Sequence, residues 1–512
     1  MKKLLVFILA LVMLFSVFAC TKNEGKKPAD TTVPGTTTPD GTNPGETDPG
    51  VTTTPEPEIT IELENETPDL PQMTFDGKKL RIAATAGNAS VEVFADETAI
   101  NIREQALWVR NEKIKDQYNV KIEAYTMSPS TVTAHVESLL ENILSGDDIF
   151  DLALTTAHST GLFITSGYLV NWLNMKYNDF SKLYWRSDIN EKFTFDDALF
   201  TAVGDMCISV LTNTYAMFYN RTKGDQMFVA DGVTTITEEV FEKIDDMAWT
   251  FDYFVELVSE IYSDLDYVSG PSDGDFYGFG SSMLCALDNW QFAFDIPMIE
   301  ADKRKVFKLV FNTEKAIEMT DKLMDLYWET NGTLAGETTS AAFFGGRVLF
   351  LPDTLNMAIG YFKNMEDDYT ILPMPMWDED QEMYLTGSQD SYNLITVPTT
   401  CRNLDMVSYI VEVLNYESRE TLYPVYYEES LKKQAVRDPE SVEMLTLVVE
   451  GCTFDLGTML HHATQGLPLH IRHAVSQQKS FKELYDSSEY FYDMGVKDLA
   501  ARYRLNKNNG KK

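Results

Sequence analysis

Four of the six histidines of this chain fall within one short stretch, HHATQGLPLHIRH: His461, His462, His470 and His473. Imidazoles are good zinc ligands, but a tandem pair followed by His-x-x-His has no companion Cys or carboxylate at a recognised ligand spacing. Surface scatter is therefore the favoured reading, and no metal or cofactor is expected. SDGD, with Asp273 and Asp275, lacks the full alternating acidic loop of a calcium site and reads as a turn. LDNWQFAF sets Asn289 beside Trp290. An amide next to an indole offers hydrogen bonds to hydroxyls and a ring face to C–H groups, which is what a sugar-like solute requires. Tryptophans more often fill cores, so packing is the competing role for Trp290. No Gly-x-Ser-x-Gly, His-Glu-x-x-His or Walker-type loop occurs, and no catalytic residue is expected. With 79 acidic residues, carboxylate pairs arise by chance and do not by themselves indicate a glycan hydrolase.

The elements that would position such residues begin near Lys79. KLRIAAT is a short apolar run, and Thr98 to Tyr118 carries Ile102, Ala106, Val109, Ile114 and Tyr118 at roughly helical spacing. NVKIEAYT alternates Val120, Ile122 and Ala124 inward; Val132, Val136, Leu139, Leu140 and Ile143 then trace a helix stripe ending at Gly146. IFDLALTT supplies a third strand. A β-α-β-α-β series implies a parallel sheet with covered faces, whose ligands sit beyond the carboxyl ends of the strands. The loops to watch are AGNAS after the first strand and AHSTG after the third.

The chain opens with Lys2 and Lys3, an apolar run from Leu4 to Phe18, Ala19 and then Cys20. That is a secretory signal rather than a membrane span, which needs about 20 apolar residues. Val17-Phe18-Ala19-Cys20 resembles a bacterial lipobox, which implies a signal peptide over 1–19, acylation of Cys20 and anchoring to the outer face of the cell membrane. Residues 20–74, rich in Thr, Pro, Gly and Asp, read as a disordered tether reaching about 40 Å. Net charge is −37, from 79 acidic and 42 basic residues, which argues against nucleic acid as a partner. Cys207, Cys285, Cys401 and Cys452 are widely spaced; Cys207 and Cys285 read as small core residues, and a disulfide stays open.

The order of KLRIAAT, VRNEKIKDQYNVKIEAYT, SGDDIFDLALTTAHSTGLFITSGYLVNW, YAMFYNR, AFFGGRVLFLPDTLNMA and YTILPMP resembles the extracellular solute-binding proteins of bacterial ABC importers, especially the sugar-binding group related to maltose-binding protein. The resemblance runs from Lys78 to about Leu456. It implies an α/β fold of two lobes joined by a hinge, each a mostly parallel sheet flanked by helices. Residues 75–210 would form the first lobe, 211–378 the second and 379–425 a return to the first, with 426–512 as helices packed on the second.

Carried onto this sequence, the resemblance puts Asp353 and Thr354 at a turn facing the ligand, where Leu355 stands near the place of a frequent family tryptophan. It puts Asn289 and Trp290 among second-lobe contacts, to which Asn88, His158, Ser159, Gln389 and Asp390 add a first-lobe set. A purely structural role is the alternative for each, and His158 could equally be a satisfied loop histidine. The implied function is a monomeric, non-enzymatic binding protein that closes on a small polar solute, a mono- or oligosaccharide, and delivers it to a permease. A surface glycan-capture or sensor lipoprotein without a permease shares the same fold.

Overall fold

The computed structural model describes residues 65–511, apart from 128–130, 302–305, 433–438 and 460. Cys20, the signal peptide and the tether as far as residue 64 lie outside the described residues. In chain order the strands are β1 (Lys78–Thr85), β2 (Val120–Met127), β3 (Leu152–Thr156), β4 (Tyr215–Asn220), β5 (Tyr262–Ser263), β6 (Phe276–Ser281) and β7 (Ile299–Ala301). They continue with β8 (Phe307–Leu309), β9 (Thr333–Ala335), β10 (Val348–Thr354), β11 (Tyr369–Leu372), β12 (Thr386–Gly387), β13 (Asn393–Thr396) and β14 (Cys452–Thr453).

The first sheet runs β13-β3-β1-β2. β1 pairs in parallel with both β2 and β3, and β13 closes the edge antiparallel to β3. Leu80, Ile82, Ala83 and Ala84 are all fully buried, as a central strand covered on both faces requires. The second sheet runs β11-β4-β10-β6-β5, with β9 beside β6. It is mixed rather than mostly parallel, because β4 enters antiparallel between β10 and β11 and β5 folds back on β6. β7 and β8 form a separate antiparallel pair.

Helix α1 (Ile102–Tyr118) starts later than the sequence pattern suggests, at Asn101, whose side chain accepts the Glu104 N–H at 2.9 Å. Its buried face is also rotated. Ile102 and Val109 are each 47% exposed, whereas Leu107, Arg110 and Ile114 are fully buried. Arg110 sets that face: its guanidinium donates to the Glu92 and Val93 carbonyls at 2.9 and 3.2 Å and to Ser418 Oγ at 3.0 Å. Burial lowers the Arg110 pKa to about 9, against the opposing pull of the buried Glu92. Hydropathy periodicity cannot anticipate an arginine whose guanidinium finds its acceptors inside. Helix α2 (Val132–Ser145) ends, as expected, at Gly146, with φ +77°. Helix α3 (Ala157–Ser166) follows β3 directly.

Two chain ends depart from the sequence reading. Residues 65–74 belong to the folded body rather than to a tether: the Tyr409 hydroxyl donates to the Pro71 carbonyl at 2.8 Å, and Leu70 and Met73 pack against the core. The C-terminal segment does not sit on the second lobe alone. Tyr503, on the last helix (Phe481–Asn506), stacks edge-on with Phe195 and Phe200 of the first lobe and with Phe307 of the second. Beyond that helix, Asn509 Nδ2 donates to the Gly167 and Leu169 carbonyls at 3.0 and 2.9 Å. The reason is the apolar face of that helix, which finds aromatic partners in both lobes. Glu62–Lys512 accordingly form one compact unit, and the division into two is a division of sheets.

Among the described residues, three segments lie side by side at the passage between the sheets. The first leads into β4, the second returns from β11 through β12 to β13, and the third is β14, which pairs in parallel with β12. Thr214 and Ser388 form an antiparallel bridge, and the Gln389 N–H donates to the Asn213 carbonyl at 2.8 Å. A Cβ added at Gly387 would lie 2.4 Å from Phe292 Cδ2, so the crossing passes the second-lobe side chains at glycine distance. Gly387→Ala is expected to lower unfolding free energy by about 1–3 kcal/mol through overpacking. In a Phe292→Ala background the same change should cost much less; equal costs in urea unfolding of both backgrounds would contradict the contact.

Candidate ligand-binding site

The site is organised around helix α4 (Cys285–Ala293), which follows β6 in the second lobe. Leu287, Trp290 and Phe294 are fully buried. Their i, i+3, i+7 spacing marks the core face. Trp290 therefore stands in an aromatic cluster with Phe251 at 5.1 Å and Phe294 at 5.5 Å between ring centroids, and its indole N–H reaches the Tyr327 hydroxyl at 3.4 Å. It faces no cavity. Packing, the competing role named for it, is the one it fills.

The other faces of α4 look onto two hollows. The larger, about 350 Å³, is walled by Glu191, Lys192 and Thr194 of the first lobe, by second-lobe residues between Gln291 and Ala301 that include Phe292, Asp295 and Glu300, and by Thr453–Leu456. The smaller, about 20 Å³, is lined by Tyr215, Asn289, Gln389, Asp390, Thr458 and His461 among others. It has room for about one water molecule. Gln291 and Phe292 line both and form the wall between them. Four polar side-chain atoms at the smaller hollow have no hydrogen-bond partner among the described residues: Asn289 Nδ2, Gln291 Nε2, Thr458 Oγ1 and His461 Nδ1. Buried groups left unpaired cost about 1–3 kcal/mol each, so their convergence marks a place built to receive a polar guest or water.

Of the residues expected from sequence, Asn289, Gln389 and Asp390 meet at the smaller hollow, and His158 joins them through a 2.8 Å bond from Nδ1 to Asp390 Oδ2. The backbone supports that bond: the His158 N–H donates to the Asp390 carbonyl at 2.8 Å and the Ala157 N–H to that of Tyr392 at 3.0 Å. Burial alone would raise the Asp390 pKa, but the His158 hydrogen bond and the charges of His158, His461 and Arg472 hold it below the usual carboxylate range. Asp288 differs. Burial pushes it up to about 7 although Arg472 forks onto both its oxygens, one at 3.1 Å.

The remaining expected residues stand apart from both hollows. Ser159 is fully buried and shares a 2.9 Å bond with Thr156 Oγ1 at the start of α3. Asn88 donates to Asn393 Oδ1 at 2.8 Å, and Asn393 in turn donates to the buried Glu92. Asp353 accepts from Ser340 Oγ at 3.0 Å and from the Thr354 N–H at 2.7 Å. Thr354 pairs across the sheet with Tyr215, and Leu355 is fully buried with its N–H on the Thr214 carbonyl at 2.9 Å.

Sequence reading missed Tyr215, Gln291, Phe292, Phe454 and Arg472. A signal for Gln291 and Phe292 existed, since the Leu287/Trp290/Phe294 stripe assigns the intervening positions to other faces of the helix. The histidines need a plainer correction. His461 is 7% and His470 2% exposed, so neither is surface scatter. His470 bonds the Phe481 carbonyl and the Tyr492 hydroxyl at 3.0 and 3.2 Å, while His461 and His462 lie against His158. Their partner is remote in sequence, which is why spacing within the stretch said nothing. Near Asp273, Asp275 binds the Leu265 and Ser272 N–H groups at 3.0 and 2.9 Å and holds a turn. All four described cysteines are free thiols.

No family profile matches the sequence, and no curated protein matches it. Solved structures do. The maltose-binding periplasmic protein MalE from Listeria monocytogenes, in complex with maltose, aligns over 84% of this chain and 99% of its own, at 12% identity and a TM-score of 0.51. A cyclo/maltodextrin-binding protein complexed with maltotetraose aligns over 83% of this chain and 97% of its own, at 12% identity and a TM-score of 0.52. The chain has the fold of these solute-binding proteins. Among the described residues no helix is long and apolar enough to cross a membrane.

Asn289 carries a structural duty whatever it binds: its Oδ1 accepts the Gly387 N–H at 2.7 Å and the Thr386 hydroxyl at 3.2 Å. Asn289→Ala should cost about 1–3 kcal/mol in chemical denaturation without any ligand present. A change within ±0.5 kcal/mol would contradict this.

Proposed function

We propose that this chain is the solute-binding lipoprotein of a bacterial ABC importer, exported, held by an acylated Cys20 to the outer face of the membrane, and working as a monomer. It captures a mono- or oligosaccharide between its two sheets, performs no chemistry on it, and presents the closed form to a permease. The observation that carries the reading is the larger hollow. It is walled by both lobes, brings the rings of Phe292 and Phe454 together with carboxylates, Lys192 and the Gln291 side chain, and has about 350 Å³ of space. Rings for C–H faces and mixed donors and acceptors for hydroxyls are the chemistry of sugar binding. The shared fold with proteins bound to maltose and maltotetraose supports the same class of ligand.

Closure follows from the division of contacts. A solute touching both walls gains its full set of partners only when they meet, so its extra affinity for the closed state draws the population there. The net charge of −37 keeps nucleic acid away and suits a soluble domain outside the cell.

A thermal-shift panel of maltose, maltotetraose, short peptides and polyols tests the assignment. A sugar at a hundred times its dissociation constant should stabilise the protein by about 2.7 kcal/mol, and Phe454→Ala should weaken that sugar at least tenfold. Stabilisation by peptides or polyols alone, or by no member of the panel, would contradict a saccharide ligand.

A further inference from the structure

We propose that His158, Asp390 and His461, with His462 beside them, form a binding site for a first-row transition-metal dication of the zinc class. Three distant segments deliver these donors: the first turn of α3, the chain leaving the hinge crossing, and the segment after the Leu456–Met459 helix. One donor atom from each of His158, Asp390 and His461 lies within 4.8 Å of the others. The His158 ring centroid is 4.4 Å from that of His461 and 4.8 Å from that of His462, and the latter two are 5.2 Å apart.

Three imidazoles and one carboxylate are a donor set that suits zinc and its neighbours, whereas magnesium and calcium call for oxygen ligands throughout. A tetrahedral ion with bonds of about 2.0–2.1 Å holds its donors about 3.3 Å apart, so closing the cluster needs side-chain rotations on the order of 1 Å. His158 Nδ1 and Asp390 Oδ2 are hydrogen-bonded at 2.8 Å, so an ion shared by these two atoms would displace the proton between them to solvent and spread them to that separation.

A second observation points to the same ligand. His461 is 93% buried by its 7% exposure, and its Nδ1 has no hydrogen-bond partner. A buried ring nitrogen with nothing to bond is costly, and coordination of a cation through Nδ1 would supply the missing partner. One contact of the kind that fixes a ring around a metal is present, His462 Nε2 at 3.4 Å from Thr133 Oγ1, and the main-chain bond from the His158 N–H to the Asp390 carbonyl at 2.8 Å holds those two segments together. An ion bound there would tie the first lobe, the hinge crossing and the C-terminal segment to one point. This is independent of the sugar reading, because the ligands do not line the larger hollow.

The test is calorimetric titration of chelator-stripped, full-length protein with zinc chloride alone, no sugar present, with cobalt(II) absorption as a second readout. The expected result is one equivalent bound in the micromolar range or tighter and tetrahedral cobalt bands. His158→Gln, His461→Gln and Asp390→Asn should each weaken binding at least tenfold, His462→Gln should weaken it less, and magnesium chloride should give no heat. Melting curves of the metal-free variants identify any that fail to fold, and the remaining variants then decide. No zinc binding, or binding unchanged in every folded variant, overturns the site. Neither outcome touches the saccharide panel, so the two readings fail separately.

Discussion

The arrangement depends on how three strands of chain pass between two sheets without leaving their backbone groups unpaired. Asn289 is the central fastener. Its buried carbonyl oxygen takes the Gly387 N–H, and the single Thr386 hydroxyl proton is shared between that oxygen at 3.2 Å and the Tyr215 carbonyl at 2.9 Å. The crossing from first to second lobe is thus bonded to the crossing back, and both to α4. A peptide ribbon held this way cannot slip in register without orphaning buried donors. The glycine at 387 lets the ribbon run against Phe292, and Phe292 is also the wall between the two hollows. Hinge geometry and cavity shape are therefore set by the same contact.

Much of the fold was legible because it obeys simple periods. β1, β2, β3 and α2 stand where alternation and helical spacing put them, and Gly146 ends α2 in the left-handed conformation that glycine adopts freely. The reading failed where polar groups are satisfied internally. Arg110 looks like a surface residue until its carbonyl acceptors are known, and its burial turned the face of α1 away from Val109. Residues 65–74 look like tether by composition, yet one tyrosine hydroxyl and two partly buried side chains dock them. The mixed pairing of the second sheet follows from long-range strand entry, which no local pattern encodes.

The candidate site was legible only in part. Asn289, Gln389, Asp390 and His158 come together because strand ends and crossings converge, which is what a parallel sheet with a crossover predicts. Trp290 was chosen for chemistry that its helical register denies it. Asn88, Ser159 and Asp353 are polar residues at strand and helix ends that meet neighbouring partners, a demand made by the ends of elements regardless of function. The histidine cluster was invisible for a different reason: its members are adjacent only after the C-terminal segment returns to α3.

The central claim is mechanical: two sheets, joined by a bonded ribbon, close upon a sugar. Pulsed electron spin resonance between one spin label at Glu141 in the first lobe and one at Glu242 in the second, both exposed positions, measures it directly. With saturating maltose or maltotetraose the distance distribution should shift and narrow to a single population relative to the ligand-free protein. A distribution that stays the same with and without a sugar shown to bind would contradict closure about the crossing.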